Sequence, residues 1–251
     1  WWAGYDGSTE MRPRTEAAVC GGSERDDVAE VWSEYLCDGV RTRHVWTVPT
    51  VQEPPSLGYD CFITVTNETG TDLREYGQFF ACYTSLNRTM GKRPTRSDAI
   101  GCWFWDGSGS LVNFLAIGGY HIDRLIVDPE SVYSKIGMVP HCPRGDGRVG
   151  GVWTHPVIVS HPAPGGERHI ILLEPGTTAA VCMGMGGLAM DYIVFPGSLV
   201  FAAGSSSRTR VRHYVMPLPE GKEIERLSEL WAEFEIDLHQ PWPTIGPKQA
   251  K

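Results

Sequence analysis

The stretch Cys61-Phe62-Ile63-Thr64-Val65-Thr66-Asn67 decides the fold class. Side chains alternate across an extended chain, so Cys61, Ile63 and Val65 share one face and Phe62, Thr64 and Thr66 the other. That is the period of a β-strand. The following Asn67-Glu-Thr-Gly-Thr-Asp72 is a turn into the next strand. Pairing 61–67 with 77–85 would bring Cys61 towards Cys82, either as a disulfide or as two small buried thiols.

Working outward, short runs of the same character recur at 28–36, 42–51, 60–67, 77–85, 100–105 and 111–117, and again at 179–183, 191–194, 198–201 and 208–216. Each is bounded by Gly, Pro, Asn or Asp, the punctuation expected between strands. Trp105-Asp-Gly-Ser-Gly-Ser-Leu111 reads as a tight hairpin, with Gly107 able to supply a positive φ. Only 220–237 has a helical period, with Ile224, Leu227, Trp231 and Phe234 three and four residues apart.

The expected architecture is all-β: a large antiparallel β-sandwich with a short C-terminal helix packed on its exterior. Residues 1–27 form an irregular or edge-strand lead-in, 28–217 the sandwich, and 218–251 the helix and an extended tail. Composition agrees, with nine Trp, nine Tyr, eight Phe, 29 Gly and 18 Pro in 251 residues.

A net charge of −8 disfavours nucleic acid, whose phosphates need clustered Lys and Arg. No run approaches the roughly 18 apolar residues of a membrane span, since the longest apolar window, 193–203, is broken by Pro196 and Gly197. Seven cysteines are widely spaced and form no C-x-x-C pair, which argues against a zinc ribbon. Asn67-Glu-Thr and Asn87-Arg-Thr match the glycosylation acceptor pattern, which carries no meaning in a bacterial protein. A start at Trp1 fits removal of a leader and a secreted or periplasmic setting, with a cytoplasmic one also open.

Chemistry concentrates around the histidines. Four of the eight, His141, His155, His161 and His169, fall within 141–169, where the loop Pro162-Ala-Pro-Gly-Gly-Glu167 reverses the chain. If Gly165 centres the turn, His161 lies opposite His169, and His155, His161 and His169 share a face. With a carboxylate such as Glu174 they could then hold a divalent metal such as zinc, copper or iron. If the register slips by one, His161 faces Arg168 and His155 faces Glu174, which favours ion pairs.

A second cluster is Gly118-Gly-Tyr-His-Ile-Asp-Arg124, in which His121 and Asp123 share a strand face. Asp123 could poise His121 as a general base, with Tyr120 or Arg124 stabilising an oxyanion. Trp103, Trp105 and Trp153, with Arg168, supply flat and cationic surfaces suited to a sugar ring.

The strand-rich layout closing on Arg208-Thr-Arg-Val-Arg-His-Tyr-Val215 resembles, over 28–217, the large sugar-binding sandwiches of the galactose-mutarotase type. The resemblance is architectural and carries no catalytic residue across. Two functions are expected from these readings. One is a carbohydrate-active enzyme of lyase, hydrolase or epimerase type, acting on a carbohydrate or related small molecule by histidine acid-base or metal-assisted chemistry. The other is a non-catalytic carbohydrate-binding or structural sandwich.

Overall fold

The computed structural model describes residues 2–5, 15–25, 28–50, 57–74, 77–84, 102–113, 124–127, 146–147, 153–184, 189–194 and 200–242. The N-terminal strands are β1 (Trp2–Tyr5), β2 (Thr15–Arg25), β3 (Val28–Cys37), β4 (Val40–Pro49) and β5 (Leu57–Asn67). Then come β6 (Leu73–Arg74), β7 (Gly77–Thr84), β8 (Trp103–Trp105), β9 (Val112–Asn113), β10 (Arg124–Val127) and β11 (Asp146–Gly147). The chain continues through β12 (Val157–Val159), β13 (Glu167–Leu173), β14 (Thr178–Gly184), β15 (Ala189–Val194), β16 (Val200–Phe201) and β17 (Ser206–Pro217), and α1 (Glu223–Leu238) follows.

Nine strands form one sheet in the order β2-β3-β4-β5-β17-β13-β12-β8-β9, six form a second in the order β1-β7-β15-β14-β10-β11, and β16 pairs with β6. The pairings are antiparallel except β10 with β11. The expected all-β class holds. Within the lead-in, Thr15–Arg25 is the edge strand of the larger sheet rather than irregular chain.

The alternation read in 61–67 sets the two cores. Cys61, Ile63 and Val65 pack with Ile158, Ile171, Leu173 and Val211 of the larger sheet and with Val181 of the smaller one, so this is the inner face between the sheets. On the outer face, Trp105, Val157, Val159, Ile170 and Leu172 pack against Leu227, Leu230, Trp231 and Phe234 of α1. The helix docks as its period predicts, with Leu230 joining the expected set and Ile224 only partly buried. Its apolar stripe hides the part of the sheet that would otherwise be open hydrocarbon.

β5 pairs with β4 and β17, not β7, which corrects the expected approach of Cys61 to Cys82. Cys61 is a free, fully buried thiol whose pKa burial pushes up. Asn67 is also fully buried. Its amide donates to the Thr71 and Phe201 carbonyls and its Oδ1 accepts from Thr69, so it closes a turn and is not available as a glycan acceptor.

The hairpin at 105–111 forms as expected, between β8 and β9. Gly107 sits at φ +96, and a Cβ there would lie 2.2 Å from both His155 Nδ1 and Thr154 Oγ1. The close seat exists because the Asp106 carbonyl accepts from the Thr154 and His155 N–H groups. Gly107→Ala should therefore cost about 1–3 kcal/mol, combining a disfavoured φ with a clash. A denaturant midpoint within error of wild type would contradict this seating.

Candidate functional site

The histidine hairpin resolves to the second of the two registers. β12 and β13 pair Val157 with Leu172, Ile158 with Ile171 and Val159 with Ile170. Continued outward, this places His161 opposite Arg168 and His155 opposite Glu174. The turn is centred between Pro164 and Gly165, with Gly166 taking the positive φ of +92 and its N–H donating to Ala163 O.

One residue of register separates the imidazoles. His155 lies on the outer face, its ring 5.3 Å from Trp105 and 4.8 Å from Trp231, with Nδ1 2.7 Å from Thr154 Oγ1. Burial lowers its pKa, with Glu235 and Asp106 opposing. The N–H of His161 donates to Cys102 Sγ, and Arg168 donates to the Ser160 carbonyl and lies 4.2 Å over Trp103. The Glu174 carboxylate accepts the Arg210 N–H at 2.7 Å. His169 points to the inner face instead.

The expected set of His155, His161, His169 and Glu174 thus does not fit one metal ion. Among the described residues no three His, Cys, Asp or Glu side chains come together as ligands. Trp105 and Trp153 pack into the hydrophobic cores, 3% and 2% exposed. Tyr120, His121 and Asp123 lie outside the described residues, as does the Arg124 side chain.

The inner face gathers a different set. His169 on β13 and His213 on β17 meet through Nε2 and Nδ1 at 2.9 Å, so one neutral ring donates and the other accepts. Tyr59 on β5 is paired directly with His213, and its ring lies parallel to the imidazole, 5° off, at 4.6 Å. Ser160 Oγ accepts the His169 N–H and donates to the His161 carbonyl. Further along the same face, the His44 ring lies 5.3 Å from Trp46 and 5.8 Å from Tyr35.

Burial governs the protonation of all these groups. It lowers His169 and His44 to about 4 each. It also lowers His213 well below the ordinary histidine value, and His169 adds to the shift because a second positive charge on the pair would be repelled. It pushes Tyr59 up to about 12. At neutral pH the face therefore holds uncharged imidazoles and a protonated phenol, and the pair can accept one proton far more readily than two.

Sequence reading did not single out Tyr59, His44 or His213. The available signal was a polar ring on the apolar face of an alternating strand: Tyr59 in phase with Cys61 and Ile63, and His213 in phase with Val211.

No protein-family model matches the chain, and no curated protein matches it in sequence. Among solved structures it is similar to a candidate aldose 1-epimerase from Klebsiella pneumoniae, at 8% identity and a TM-score of 0.41, covering 98% of this chain and 70% of that one. It is also similar to a GH36 alpha-galactosidase from Geobacillus stearothermophilus, at 8% identity and 0.42, covering 85% of this chain and 29% of that one. A galactose mutarotase-like protein from Clostridium acetobutylicum matches at 9% identity and 0.37, covering 83% and 67%. At these scores the likenesses carry no argument for activity, and the two-sheet β-sandwich rests on this chain's own strand pairings.

Proposed function

We propose that the chain is a carbohydrate-active enzyme whose acid-base group is the His169–His213 pair on the inner face of the larger sheet. The observation that carries the reading is the 2.9 Å contact between two buried, neutral imidazoles on adjacent strands. A neutral imidazole takes a proton from a hydroxyl, and its hydrogen-bonded partner shares the resulting charge. Tyr35, Trp46 and Tyr59 on the same face supply the aromatic surface that suits a sugar.

The described face offers imidazoles rather than the paired carboxylates most glycoside hydrolases use. That favours a proton-transfer reaction, epimerisation or elimination, over hydrolysis. A non-catalytic carbohydrate-binding or structural sandwich is the second reading, favoured by the complete burial of His213.

The test is a panel of free aldoses, glycosides and uronate-containing polysaccharides, followed by polarimetry, reducing-end release and ultraviolet absorbance of unsaturated products. Activity should appear in one class, and His213→Gln and His169→Gln should each lower kcat/KM by about a hundredfold or more. Saccharide binding without turnover on any class would establish the second reading instead.

A further inference from the structure

We infer that Tyr59 is a positioning residue for the His169–His213 pair, setting the plane of the His213 ring and meeting with its π face the positive charge the pair acquires. The inference rests on the acid-base reading above and names a component it does not require.

The geometry has two parts. Tyr59 and His213 are directly opposed in the β5–β17 pairing, so the backbone fixes the distance between their Cα atoms. The rings are then parallel within 5° at a centroid separation of 4.6 Å. A face-on contact of this kind restrains rotation about the imidazole χ2, which is otherwise a soft torsion. It is this torsion that aims Nδ1 at His169 Nε2.

The second part is electrostatic. An imidazolium formed on His213 is attracted by the negative face of the phenol ring, an effect that strengthens where water is excluded. The described groups facing His213 on the inner face include His169 from β13, and Tyr59 and Cys61 from β5. Arg212, the preceding residue, and Asp60 project to the opposite face, where they bind each other. The tyrosine ring is therefore a described neighbour placed to favour the charged form.

Tyr59→Phe keeps the ring face and Tyr59→Leu removes it. Two readouts are needed: the pH profile of kcat/KM on the substrate identified in the panel, and the imidazole 15N chemical shifts of His169 and His213. Tyr59→Leu should lower kcat about tenfold with KM little changed. It should also move the acid limb of the profile down by roughly half a unit to one unit. The 15N shifts should lose the signature of a fixed tautomer.

Tyr59→Phe should match wild type in all of these. A Tyr59→Leu protein that keeps both the acid limb and the 15N shifts would overturn the inference while leaving the acid-base reading intact. A Tyr59→Phe protein as impaired as Tyr59→Leu would overturn it as well, by showing that the hydroxyl and not the ring face matters. Loss of the acid-base reading is recognised separately, by unchanged activity in His213→Gln.

Discussion

Asp60→Ala should destabilise the folded protein by about 3–5 kcal/mol, the loss expected when one partner of a buried ion-pair set is deleted. Asp60 lies on the outer face of β5 opposite Arg212, and its carboxylate receives both Arg212 and Arg210 at 2.7 Å. The side chains are only 14%, 12% and 9% exposed, so water cannot replace the carboxylate when it is removed. Arg210 also packs over Phe62 and Arg212 over Phe234, which holds both guanidinium planes in place. The variant would leave two cations side by side under α1.

The same cluster anchors the helix. Arg212 reaches Asp237 at 2.7 Å, and Arg210 donates to the Asp237 main-chain carbonyl in the last turn of α1, where cations suit the helix dipole. Burial alone would raise the Asp60 carboxyl, but the hydrogen bonds and charges of Arg212 and Arg210 outweigh it and hold the group below the usual carboxylate value. Its contribution is therefore present above the unfolded-state pKa and lost as pH falls through the lower folded one.

Two further variants separate charge from packing. Asp60→Asn keeps the shape and should still cost most of the loss. Asp60→Leu combined with Arg210→Met and Arg212→Met should recover much of it, since well-packed apolar groups can replace a buried ion set at little cost. Asp237, 38% exposed, can hydrate when its partners are gone. Urea unfolding of the four proteins gives the comparison. An Asp60→Ala loss under about 1 kcal/mol would mean the cluster behaves like an exposed surface pair.

How far these features were legible in the sequence depends on the range over which they are determined. The 61–67 strand and the 223–238 helix are set by local periodicity, and both faces of the strand and three of the four helix anchors went where the period put them. The hairpin at 162–166 was ambiguous for a physical reason. Two prolines and two glycines in five residues allow the reversal to centre on Gly165 or half a residue earlier, and the strand pattern His155-Pro-Val-Ile-Val-Ser-His161 is apolar on both faces. Both faces of this strand are buried, one by the second sheet and one by α1, so burial could not select the register from sequence.

The inner-face set was harder still. His44, Tyr59, His213 and His169 lie on four successive strands, β4, β5, β17 and β13, of which β17 is the last in the chain. Their proximity follows from long-range strand order, which no local pattern encodes.

That set also dictates how the fold responds to acid. Stability should fall steeply as pH drops from about 6.5 towards 4, a decline that begins above the range in which most carboxylates titrate. In the unfolded chain, histidines take up protons near the ordinary value of 6.5, whereas His44 and His169 in the folded protein resist protonation until about 4. Between those limits the unfolded state binds more protons, so stability rises with pH and is lost as pH falls. Each of the two contributes about 3 kcal/mol of loss by pH 4, and His213, shifted in the same direction, adds to it. Against a typical total of about 5–15 kcal/mol, this is a large share of the stability of an average domain.

Urea unfolding at half-unit steps from pH 7.5 to 4.5 should show a slope of about 3 to 4 kcal/mol per pH unit at its steepest, corresponding to uptake of between two and three protons. His44→Gln should lower that slope by one proton's worth, although the variant is less stable at neutral pH. The Asp60 cluster acts below this window, because its carboxyl titrates under the usual carboxylate value. Stability that stays level between pH 7 and 5 would show that these imidazoles are already reached by water and protons in the folded state. The inner face would then be open to solvent at His44 and His169, and both would take up protons as ordinary histidines do.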